Sequence, residues 1–133
     1  MQQKAVTTLR DILTSIYDAN KVLEPSAPMQ DVERVASVQG ACLQYAPPEL
    51  LERVNAVVSD FAIGIGFYAH KSNTEDALTV LEAHMAQFYN YVGTISPRSP
   101  SPIVANSVTA LQDRQNKPNL AAAFITFRLR ITS

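Results

Sequence analysis

The sequence predicts one α+β domain, a mainly antiparallel sheet with two helices packed on one of its faces, in the order helix, strand, strand, helix, strand, strand. Three observations carry that expectation: an apolar stripe of helical spacing near the N-terminus, a second over 74–92, and strict alternation of apolar residues over 61–69 and 119–131. The length of 133 residues suits one core.

Val6, Leu9, Leu13 and Ile16 line one side of a helix over 4–18. The LEPSAP stretch, 23–28, breaks it with two prolines, which cannot continue a helix. Over 35–45, VASVQGACLQY alternates as a strand does, although Val32, Val35 and Gln39 also suit a helix. After Pro47 and Pro48, ELLERVNAVV carries Leu50, Leu51, Val54, Val57 and Val58 at helical spacing, so a short helix or an irregular arm is expected over 47–60. The clearest strand is FAIGIGFYA, 61–69, with Phe61, Ile63, Ile65 and Phe67 on one face and Ala62, Gly64, Gly66 and Tyr68 on the other. Two glycines on one face point to a bulge or to the close approach of another backbone, with a twist or kink as the plainer account.

Ser72, Asn73 and Thr74 are candidate N-caps for a helix over 74–92, Glu75 and Asp76 suit the positive end of its dipole, and Leu78, Leu81, Met85, Phe88 and Val92 form its buried stripe, with Gly93 ending it. SPRSPSP, 96–102, reads as an extended spacer. Strands over 103–111 and 119–131, joined by the polar DRQNKPN loop, close the domain as a hairpin. In the last strand Ala121, Ala123, Ile125, Phe127, Leu129 and Ile131 share a face, and Phe124, Thr126, Arg128 and Arg130 share the other.

Charged residues make up only 17% and hydrophobic ones 47%, a thin charge for a soluble surface and one that fits a subunit covered in part by neighbours. A net charge of -1 argues against a protein that wraps nucleic acid. MQQKAVTTLRDILTS has no apolar run of signal-peptide length, and no stretch is apolar enough to span a membrane, so no membrane partner is expected. The single Cys42, between Ala41 and Leu43, reads as a buried structural thiol.

His70 and His84 are the only histidines; Asp60, Asp76 or Glu82 could join them, but no HxH, HExxH or Cys-rich spacing supports a metal site. Gly-Ile-Gly inside a strand is no phosphate-cradling loop, so neither metal nor nucleotide cofactor is expected, and no catalytic residue can be named. Phe88, Tyr89 and Tyr91 read as core or rim residues. Arg128 and Arg130 leave the same strand face, which suits either an acidic partner or a channel lining, or a plain solvated surface. Phe124 on that face is an apolar ring among arginines, as at an interface centre, unless a loop or helix covers it.

Four segments together carry a resemblance: VTTLRDILTSIY, FAIGIGFYAHK, NTEDALTVLEAHMAQFYNYV and AAFITFRLRIT. In pattern and length the chain resembles the tail terminator, or neck (tail completion), proteins of tailed bacteriophages, with PPELLERVNAVV as a departure. The resemblance implies a virion subunit, assembled in the host cytoplasm, that forms a six-fold ring on the last ring of tail-tube protein. Such a ring stops tube growth and offers a surface to the head connector, with DNA only passing through its lumen. Function would then lie in surfaces, and the candidate interface residues are Gly64, Gly66, Arg114, Lys117, Phe124, Arg128 and Arg130. Readings of other classes are a small dimeric ligand-binding or enzymatic domain with its pocket near His70, His84 and Tyr68, or a cytoplasmic adaptor taking a peptide on an open sheet edge.

Overall fold

The structure, a computed structural model, describes residues 2–70, 76–93, 102–104, 107–113 and 120–132. Its elements run α1 (Gln2–Ile16), β1 (Val22–Leu23), α2 (Met29–Gln39), β2 (Ala41–Tyr45), β3 (Glu49–Arg53), β4 (Val58–His70), α3 (Ala77–Gly93), β5 (Thr109–Asp113) and β6 (Leu120–Thr132). The fold is α+β, as expected. β4 and β6 pair antiparallel over their whole length, from Val58 opposite Thr132 to His70 opposite Leu120. β2 and β3 share the other edge of β4, one at each half, while β5 pairs with the far edge of β6. Among the described strands only the short β1 runs parallel to its neighbour, β2.

The core follows from the alternation in the two long strands. Phe61, Ile63, Ile65 and Phe67 of β4, with Ala123, Ile125, Phe127, Leu129 and Ile131 of β6, are buried beneath Leu9, Ile12 and Leu13 of α1 and Leu81, Met85 and Phe88 of α3. These are the two helices expected on one face. Burial of side chains this large, at roughly 1.5–3 kcal/mol each, is what holds α1 and α3 to the sheet.

Several local expectations change. α1 turns Ala5 and Ile12 inward and leaves Val6 and Ile16 half-buried. The strand expected over 35–45 is a helix that ends at Gly40 and only then a strand. Gly40 has φ +84°, the left-handed conformation that closes a helix and that an L side chain rarely adopts, so the chain reverses there and enters β2 at once. α2 is therefore a third helix, and it lies on the opposite face, where Val32 and Ala36 pack on Cys42, Tyr68, Leu120 and Ala122.

Residues 49–53 form a strand, neither the short helix nor the irregular arm expected, because β4 offers them a ladder: Glu49 pairs with Ala62, Leu50 with Phe61, Glu52 with Asp60 and Arg53 with Ser59. Asn55 makes the turn, its side-chain oxygen accepting the N–H groups of Val57 and Val58, both at 2.9 Å. α3 begins at Ala77, where the Asp76 carboxylate accepts the Leu78 N–H at 3.3 Å. The cap candidates Ser72, Asn73 and Thr74 lie outside the described residues, as does most of the 96–102 spacer and of the DRQNKPN loop. The strand expected from Ile103 starts only at Thr109; Ile103 makes a single bridge to Leu129.

Candidate functional site

Among the described residues, the second face of the sheet is covered only at one end. α2 shields Tyr68, Leu120 and Ala122, and beyond them Gly64, Gly66, Phe124, Thr126, Arg128 and Arg130 face outward together. Five of the seven sequence candidates thus meet on one surface; Arg114 and Lys117 lie outside the described residues.

The glycines answer to side chains. β4 and β6 stay in register through Gly64 and Gly66, with neither bulge nor foreign backbone. A Cβ on Gly66 would come within 2.9 Å of the Tyr68 hydroxyl and 3.0 Å of both Phe124 Cε1 and Tyr68 Cε2. The two rings fold over the bare strand edge to face, centroids 6.1 Å apart. At Gly64 a Cβ would meet only the Ala46 methyl at 3.9 Å, so that position is roomy. Phe124 nevertheless stays 36% exposed at the rim of a shallow depression of about 370 Å³ floored by Gly64 and Gly66 and walled by Pro25, Gln44, Pro47 and Tyr68.

Beside the depression the charges are ordered. Asp60 on β4 is fully buried, and Arg130 grips it with both arms of its guanidinium, Nε to Oδ1 at 2.8 Å and Nη2 to Oδ2 at 3.1 Å. Arg128 approaches Oδ2 at 3.7 Å. The Arg130 hydrogen bonds, joined by the charges of both arginines and opposed by burial, hold the Asp60 carboxyl below its usual range. The arginines are therefore not a free basic pair; they neutralise a buried acid and leave one positive charge in excess. The cross-strand rows Glu49–Ala62–Arg128 and Glu52–Asp60–Arg130 make this face acidic at the β3 edge and basic at β6. Thr109 and Thr126 share a 2.6 Å hydrogen bond next to that basic side, and Ser107 Oγ accepts the Arg128 N–H at 3.0 Å.

The histidines do not converge. Tyr68 belongs to the α2 face, whereas His84 points from α3 into the core on the other side of the sheet, so the pocket expected from His70, His84 and Tyr68 is not assembled. His84 Nε2 donates to the Cys42 carbonyl at 2.9 Å, the His84 carbonyl accepts the Tyr17 hydroxyl at 2.6 Å, and the ring lies tilted against Tyr17 and nearly perpendicular to Phe67. Burial, helped by the charge of Lys21 and opposed by the Cys42 carbonyl, pushes its pKa down to about 4. Cys42 is buried too, and that burial pushes its thiol up to about 12, the state of an inert thiol. Among the described residues no group of three or more His, Cys, Asp and Glu is placed to hold a metal, and no helix is long and apolar enough to cross a membrane.

One surface feature was not anticipated. β3 and its turn form an edge arm of the sheet with every residue from Glu49 to Val57 exposed, including Leu50 at 54%, Leu51 at 49% and Val54 at 43%. The register shift between Leu50 and Glu52 leaves Leu51 outside the ladder, pointing into solvent. The apolar residues are legible in the sequence, which leaves 47–60 open as a short helix or an irregular arm; the structure makes of them an exposed strand and turn.

No protein-family model matches this chain, and no curated protein sequence matches it.

Proposed function

We propose that the chain is a structural subunit of a tailed-phage neck, forming a ring that caps the tail tube and joins it to the head connector. In this reading the protein works through surfaces and catalyses nothing; it assembles in the host cytoplasm and ends in the virion. The observation that carries the reading is the pairing of a half-bare sheet face with an exposed apolar edge arm on so small a domain. A solitary protein rarely leaves four large aliphatic side chains, Leu50, Leu51, Val54 and Val57, exposed on one hairpin. The open face adds an aromatic ring beside arginines, the composition of interface centres.

Light scattering and electron microscopy of the purified protein, alone and with tail-tube protein, test it. Closed rings of several subunits are expected, seated on tube ends. A protein that stays monomeric at high concentration with tube ends present would sink the proposal.

A further inference from the structure

Resting on the ring reading, we infer that the β3 arm is the element that reaches the neighbouring copy, docking head to tail on the open sheet face of the next subunit over Gly64 and Gly66. The arm brings Leu50, Leu51 and Val54, all about half exposed, and the receiving depression is walled by Pro25, Pro47, Tyr68 and Phe124. The arm cannot fill its own depression. Its turn lies at the Val58 end of β4, about 20 Å along the strand from Gly64, and the ladder to β4 fixes it there.

Charge selects the geometry. The open face is acidic at β3, through Glu49 and Glu52, and carries excess positive charge at β6, through Arg128 and Arg130 around one Asp60. A two-fold contact between arms would set Glu49 and Glu52 against their own copies. A head-to-tail contact sets them against Arg128 of the next subunit, and a heterologous contact of that kind generates rings when its rotation closes.

Two substitutions outside the core separate the halves of this contact. Leu51→Asp spoils the arm, and Gly64→Val fills the depression at a position where a Cβ meets only Ala46. Each variant is expected to melt as the parent does by circular dichroism and to sediment as a monomer. Mixed together they should form dimers and nothing larger, because the intact arm of one fits the intact depression of the other. If both variants still form the parent's rings, the arm contact is wrong and the ring reading survives. If each is a folded monomer and the mixture stays monomeric, the head-to-tail pairing is wrong. A parent that never assembles removes the ring reading and this contact with it.

Discussion

Lowering the pH from 7 to 4 should destabilise the fold through one side chain, His84. His84 is 3% exposed, its ring donates to the Cys42 carbonyl and packs at a tilt against Tyr17, so the folded protein keeps it neutral. The unfolded chain takes up the proton near the ordinary pKa of 6.5, whereas the folded one does so only near 4. The folded pKa is the lower, so stability is complete above about 6.5, falls as the pH drops, and levels off near 4. At about 1.4 kcal/mol per pH unit of difference, the loss across that window is about 3 kcal/mol, a large part of a small domain's stability. Urea unfolding followed by circular dichroism at pH 7.5, 6.5, 5.5 and 4.5 measures it. His84→Gln retains an N–H donor for Cys42 and cannot ionise, so its stability should lack this component. Parent and variant losing the same stability between pH 6.5 and 4 would refute the reasoning, because the remaining acid-sensitive groups are common to both.

Leu81 is 2% exposed in the α3 stripe, so Leu81→Ala should cost on the order of 2 to 5 kcal/mol; melting with the parent would mean that α3 is wrongly oriented. Gly66→Ala drives a methyl into the Tyr68 and Phe124 rings and should cost about 1 to 3 kcal/mol, whereas Gly64→Ala should be neutral or slightly stabilising, and equal melting temperatures would contradict the aromatic cover. Asp60→Asn removes the buried charge that both arginines hold and leaves two half-exposed arginines that water can solvate, so it should destabilise by about 1 to 3 kcal/mol at pH 7, the worth of hydrogen bonds to a charged group; an unchanged urea midpoint would show that Arg130 contributes nothing there. Asp60 also sets a separate acid transition: with its carboxyl held below the ordinary 3.8, its stabilisation is complete above that value and is lost only at lower pH, beneath the His84 window.

Periodicity alone determined α1, α3, the two long strands and which face of each strand lies beneath those helices, because alternation and helical stripes are properties of local chain geometry that the core then uses. It also placed Phe124, Thr126, Arg128 and Arg130 on one face. Small residues defeated it over 35–45: Ala36, Ser37, Val38 and Ala41 fit a pleat or a helix equally, and the decision fell to Gly40 and to the apolar surface offered by Cys42, Tyr68 and Ala122. In Glu49–Arg53, helical propensity lost to the unpaired half of β4, a partner no local pattern reveals. Only the tertiary structure set Asp60 between two arginines from another strand, sent His84 and Tyr68 to opposite faces, and left α2 too short to cover the sheet, because each depends on which strands lie side by side.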